Sequence, residues 1–188
     1  MTVAASDLNT KDSQISKMDV SPSLKTERLL IRPLALTDDD FIFELVNTEG
    51  WIRFIGNRNI PSQVEARAYI QKVLENENVS YWVVQRKNSL DAIGIITYIK
   101  RDYLEHHDIG FAFLPNASKS GYAYEATRAV LHKLIQERNP VQILATTIPE
   151  NERSIKLLQK IGFVFEKEMN VDNTMLHVYG ALTDTLKT

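Results

Sequence analysis

The sequence predicts an α/β fold: a mixed sheet of about seven strands with helices on both faces. Three observations carry this. Strand-like and helix-like runs succeed one another in the order β-α-α-β-β-β-α-β-α-β-β. Two neighbouring pairs of β-rich runs are joined by short polar links, as in antiparallel hairpins. One β-rich run leads through a long helix into another, which makes a parallel strand–helix–strand unit with a right-handed crossover.

Glu27 to Leu34 reads as the first strand, ended by Pro33. Thr37 follows as a helix N-cap, with Asp38, Asp39 and Asp40 in a first turn where negative charge is favoured. Ser62 and Glu65 form a capping box for a helix to about Glu77, with Tyr69, Ile70, Val73 and Leu74 at helical spacing. Tyr81–Arg86 and Ala92–Lys100 form a hairpin across Lys87–Asp91. His107–Leu114 is the next strand, ended by Pro115, and a long helix then lasts to Arg138, stopped by Asn139-Pro140. Val141–Ile148 is a strand and Asn151–Lys160 a helix, closed by Gly162 as its C′ residue. Phe163–Met169 and Met175–Gly180 form a final hairpin.

The chain has 188 residues, 44% hydrophobic and 24% charged, which suits one globular domain. We expect that domain at residues 24–182, with a polar, flexible tail at 1–23 and a short tail at 183–188. A net charge of −2 offers no electrostatic footprint for nucleic acid or an anionic membrane surface. There is no cysteine, so disulfide, thiolate and cysteine–metal chemistry are excluded. No apolar run approaches the roughly 18 residues of a membrane span, and the first residues lack the apolar core of a signal peptide. A cytoplasmic protein, monomer or homodimer, is the expectation.

The segment Ser118-Lys119-Ser120-Gly121-Tyr122-Ala123 joins a strand to a helix start. The first N–H groups of a helix have no partner within it and carry the positive end of its dipole, so the junction suits a phosphate. Gly121 lets backbone approach a ligand closely. About thirty residues later, Asn151-Glu152-Arg153-Ser154 opens a helix that ends at Gly162-Phe163.

Together these segments resemble the GCN5-related N-acetyltransferases (GNAT). That family's phosphate loop, Gln/Arg-x-x-Gly-x-Gly/Ala, is matched in its second half by Gly121-Tyr122-Ala123, and its later Asn-x-x-Ser and Gly-Phe pattern by Asn151, Ser154, Gly162 and Phe163. Three further segments look like the ribosomal-protein N-acetyltransferase branch: Thr26 to Leu34, Trp51 to Gly56, and Gly121 to Ala126. The resemblance implies a twisted, mostly antiparallel central sheet, acetyl-CoA as co-substrate and no metal. It implies an amine acceptor, either a protein N-terminus or a small molecule.

It also implies residue roles. The backbone of Phe111, Ala112 and Phe113 pairs with the pantetheine, and an N–H there polarises the thioester carbonyl. Ser118 to Ala123 hold the pyrophosphate, although Ser118 stands where the family has Gln or Arg. Asn151 and Ser154 touch the pantetheine, and Ser154 or a water protonates the departing sulfur, because Leu158 stands where many members place a Tyr. Asp108, two residues before Gly110, is the expected base acting through water, with Glu105 as the alternative. Alternation puts Asp108, Gly110 and Ala112 on one face and His107 on the other, so His106 and His107 cannot readily chelate one ion. Trp51, Arg53 and Phe54 shape the acceptor pocket, with Tyr98 and Tyr179 as further candidates on that side. A non-catalytic acyl-CoA binder, or a scaffold that binds no coenzyme A, are the other readings.

Overall fold

The computed structural model describes residues 23–186. All but the last residue of the expected N-terminal tail, and the last two of the C-terminal one, lie outside that range. The elements are β1 (Leu24–Lys25), β2 (Leu29–Pro33), α1 (Asp39–Val46), α2 (Glu49–Phe54), α3 (Gln63–Glu75), β3 (Val79–Arg86), β4 (Ala92–Ile99), β5 (Asp108–Phe113), α4 (Tyr122–Arg138), β6 (Gln142–Thr147), α5 (Glu152–Ile161), β7 (Val164–Val171) and β8 (Thr174–Leu182). The eight strands form one sheet in the order β1-β2-β3-β4-β5-β6-β8-β7. Every neighbouring pair is antiparallel except β5 and β6, which are parallel. The extra strand, β1, is a two-residue edge piece too short to leave a pattern in the sequence. Among the described residues no helix is long and apolar enough to cross a membrane.

The sheet has a core on each face. Trp82 and Val84 of β3 pack with Val130, Leu131 and Leu134 of α4 and with Leu158 and Ile161 of α5. Val83, between them, points the other way and packs with Ile42 and Leu45 of α1, Trp51 of α2 and Ile70 of α3. This is the period-2 alternation of a strand covered on both sides. The chain does not leave the body at Leu182: Thr183 Oγ1 donates to the Pro140 carbonyl at 2.7 Å, and Leu186 is buried in the α4/α5 core.

Two local expectations change. Thr37 is not an N-cap: Leu36–Asp38 forms a 3-10 turn and α1 starts at Asp39. Asp38 is buried rather than exposed at a helix end. Its carboxylate accepts from Arg32 Nη1 at 2.8 Å and Nη2 at 2.6 Å, and from the Ala35 N–H at 2.8 Å. The guanidinium fork of β2 competes for Asp38 and wins over the weaker helix dipole. The second change is α2, a helix of under two turns with Thr48 as N-cap, accepting from the Trp51 N–H at 3.3 Å. Its six residues are too few for a helical periodicity to show in the sequence.

Replacing Asp38 by Ala strands the Arg32 guanidinium and the Ala35 N–H. We expect a loss of about 2 kcal/mol by urea denaturation, because removing one partner of a largely buried charged pair is costly. A loss below roughly 0.5 kcal/mol would mean that Asp38 only complements the helix dipole.

Candidate active site

Strands β5 and β6 pair at one position only, Asp108 with Leu144. The Leu144 N–H donates to the His107 carbonyl at 3.0 Å, and the strands then part. Each is held on its outer side: β5 pairs with β4 from Asp108 to Phe113, and β6 pairs with β8 along its whole length. The inner edge of β5 from Ile109 to Phe113 therefore has no strand partner. A cleft of about 1120 Å³ passes through this gap from one face of the sheet to the other. Phe111, Ala112 and Phe113 line it.

The loop after β5 closes one end. Lys119 (φ +63°) and Gly121 (φ +79°) are both left-handed, and Gly121 is the N-cap of α4. That conformation is easy for Gly and unusual for Lys. The first helical bond is donated by the Glu125 N–H to the Gly121 carbonyl at 3.1 Å. The N–H groups of Tyr122, Ala123 and Tyr124 are thus left without a partner inside the helix. Ser118, Lys119, Gly121, Tyr122 and Ala123 line the cleft; Ser120 does not. Its carbonyl is turned away to accept from Arg28 Nη1 at 2.9 Å.

Arg28 belongs to a clamp absent from the sequence reading. Its Nε donates to Glu125 Oε2 at 2.7 Å, and its backbone N–H to Glu125 Oε1 at 3.0 Å. Thr26 Oγ1 donates to the same Oε1 at 2.5 Å, and the guanidinium lies over the Tyr122 ring at 4.7 Å. The start of the chain thereby holds both the loop and the first turn of α4. Burial alone would raise the Glu125 carboxyl, but donation by Thr26 and Arg28 outweighs it and holds the group below the ordinary 4.5. The signal available in sequence was the Thr26–Arg28 segment itself, whose partner lies nearly a hundred residues away.

On the other wall, Asn151 is the N-cap of α5 and its Oδ1 accepts from the Ser154 N–H at 3.3 Å. Both residues line the cleft. Leu158 is buried in the core, so α5 presents no phenol at that position.

Asp108 sits where the strands diverge and is 2% exposed. Its Oδ2 accepts from Arg101 Nε at 2.9 Å and from Thr146 Oγ1 of β6 at 3.0 Å, while Oδ1 is buried without a hydrogen-bond partner among the described residues. Burial pushes its pKa above the ordinary 3.8, against the lowering pull of Arg101. Glu105 is exposed and lies outside the cleft. The two histidines do not act together: His107 stacks on Tyr98 with ring centroids 4.6 Å apart. Among the described residues no three His, Cys, Asp or Glu side chains gather as a metal site.

The cleft ends on the α1–α3 face among Trp51, Arg53, Phe54, Arg58, Tyr81 and Tyr103. The sequence named the first, second and third of these and missed the rest, which come from a loop and two distant segments. Tyr98 and Tyr179 are corrected: both are buried in the α4/α5 core, on the opposite face. Tyr81 accepts or donates a hydroxyl contact with Tyr69 at 3.2 Å, and burial keeps its phenol protonated far above the usual range.

A family model described as an acetyltransferase (GNAT) domain matches residues 28–164. The chain belongs to the GNAT acetyltransferase family. It is 30% identical over 139 residues to an uncharacterized N-acetyltransferase, YnaD, of Bacillus subtilis, covering 74% of this chain and 81% of that relative. An acetyltransferase of the GNAT family from Bacillus anthracis has the same fold, with TM-score 0.74 and 25% identity over 87% of this chain and 99% of its own. A spermidine N-acetyltransferase from Vibrio cholerae, solved with CoA and spermine, superposes with TM-score 0.73 at 19% identity, over 85% of this chain and 98% of its own.

This GNAT clamp gives a pH prediction. A carboxyl depressed on folding contributes stability that is present above its unfolded value and lost as pH falls through its folded one. Wild type should therefore exceed Glu125→Gln in stability above about pH 4.5, and the gap should close on further acidification. Denaturation curves across pH 2 to 7, at roughly unit steps, check this; a gap that does not change with pH would remove the ionised clamp.

Proposed function

We propose that the protein is an acetyl-CoA-dependent N-acetyltransferase that joins an acetyl group to a primary amine by direct attack. The observation that carries this is the one-pair contact of β5 and β6, which leaves a strand edge free beside a helix N-terminus. A pantetheine arm is a chain of amides, and it can hydrogen-bond to the free edge at Phe111, Ala112 and Phe113 as a strand would. The pyrophosphate meets the N–H groups of Lys119, Gly121, Tyr122 and Ala123 and the Lys119 charge. Ser120 supports this loop through its carbonyl and Arg28 rather than by facing the ligand.

Asp108 takes the role of base. Its unpartnered Oδ1 accepts a proton from the acceptor ammonium or from an intervening water, and Arg101 balances the carboxylate before the proton arrives. The amine nitrogen then bonds to the acetyl carbon and the carbon–sulfur bond breaks. Ser154, or a water it holds, passes the second proton of that nitrogen on to the departing sulfur. Backbone N–H groups of β5 stabilise the carbonyl oxygen as its charge grows.

Leu158, which lines the cleft where a Tyr would supply an acid, favours a second reading, an acyl-CoA binder without turnover. The ribosomal-protein branch remains one option for the acceptor, and a small amine is another: a spermidine acetyltransferase shares this fold.

Acetyl-CoA at about 100 times its dissociation constant should stabilise the protein by roughly 2.7 kcal/mol, read as a rise in Tm. Thiol release with an amine panel then separates enzyme from binder. No Tm rise from a folded protein would sink both. With an active acceptor, the rate should fall on acidification with an inflection above 3.8, because the base must be ionised and burial raises its pKa. Asp108→Asn should lose that inflection and about two orders of magnitude in rate while keeping acetyl-CoA affinity. An unchanged rate would remove Asp108 as base.

A further inference from the structure

The acceptor end of the cleft carries an uneven set of polar groups. On α2, on the segments that carry Arg58 and Arg101, and at the strand vertex, the charged residues of the cleft are Glu49, Arg53, Arg58, Arg101 and Asp108, while Glu150, Glu152 and Arg153 line it from α5 and the turn before it. Arg101 and Asp108 neutralise each other at 2.9 Å. That leaves two guanidiniums against one carboxylate. Among the described residues none of Arg53, Arg58 and Glu49 is ion-paired. Arg53 is instead laid over the Phe54 ring at 5.0 Å, which fixes its head at the wall of the cleft.

A second observation is independent of charge. Trp51 is 4% exposed, lines the same end, and its Nε1–H has no acceptor among the described residues. A buried donor without a partner is costly, and an acceptor on a bound ligand would relieve it. Tyr81 adds a phenol in the same wall, its hydroxyl already shared with Tyr69 at 3.2 Å. The unmet needs of this end are the Trp51 N–H and the unpaired Arg53 and Arg58, donors seeking an acceptor, with one exception. The exception is Asp108 Oδ1, an acceptor seeking a donor, at the inner end where the strands part.

We propose that the acceptor amine belongs to a molecule that also carries an oxyanion, a carboxylate or a phosphate, held by Arg53, Arg58 and the Trp51 indole N–H while the amine faces Asp108. This rests on the acetyl-transfer reading above and narrows it. A polycation is the wrong ligand for a wall with more guanidinium than free carboxylate, since it would bring like charges together. Guanidinium forks match both carboxylate and phosphate oxygens.

The test uses matched amines that differ only in the anion. Several α-amino acids are compared with their amides, and phosphoethanolamine with ethanolamine, with spermidine as the cationic control. Thiol release from acetyl-CoA is followed in each case. The anionic member should win by roughly tenfold or more in kcat/KM in at least one pair, as expected of a charge-assisted hydrogen bond. The winning pair tells carboxylate from phosphate. The preference should shrink as salt is raised, because Arg53 and Arg58 are exposed to solvent. Arg53→Gln with Arg58→Gln should erase the preference, and Trp51→Phe should reduce it. Equal rates within every pair, or spermidine as the best substrate, would overturn the proposal and leave acetyl transfer standing. Thiol release with no amine in the panel would overturn both.

Discussion

The site depends on two parallel strands that touch once and then separate. At that point the backbone ladder between β5 and β6 stops at the Asp108–Leu144 pair. Asp108 continues the connection with its side chain, since its Oδ2 accepts from Thr146 on β6. One carboxylate oxygen therefore ties the vertex of the gap, and the other is left for chemistry. Beyond the vertex each strand is secured by its outer neighbour, so the gap costs the sheet few hydrogen bonds. Without this divergence the sheet would be sealed, the two faces would not communicate, and neither the loop nor the arginines would share a cleft.

A gap in a sheet is a weakness unless its rims are braced. The upper rim is braced by Arg28, which holds the Ser120 carbonyl, the Glu125 carboxylate and the Tyr122 ring at once. The loop carries two left-handed residues, one of them a lysine, and such strain persists only when neighbours over-determine it. The opposite rim is braced more simply, by Asn151 capping α5. Arg28 shapes its rim without lining the cleft, whereas Asn151 does both.

Much of this was legible in the chain. The long elements were found because their patterns exceed a turn or two, and Gly121, Asn151 and Gly162 each stand where an isolated residue type carries a backbone requirement. The misses have a common cause. Asp38 was read by its local neighbours, three acids before a helix, yet its partner Arg32 lies on the preceding strand. Glu125 stands in a first turn with nothing local to mark its partners, Thr26 and Arg28. Tyr98 and Tyr179 were candidates for the acceptor side, and strand parity sends them to the other face. Arg58, Tyr81, Arg101 and Tyr103 reach the cleft from separate segments with no motif to gather them. Pairings across distance are what a single sequence conceals.

The Arg28 clamp also bears on how the molecule comes to be. Its two halves are separated by 97 residues, and between them lie half of the strands and three of the helices. Contacts so distant along the chain carry a large loop-closure cost. The ligand loop is thus not a local structure that the rest of the protein merely carries. It takes shape only when the beginning of the chain meets the start of α4, so a change at either place is felt at the other.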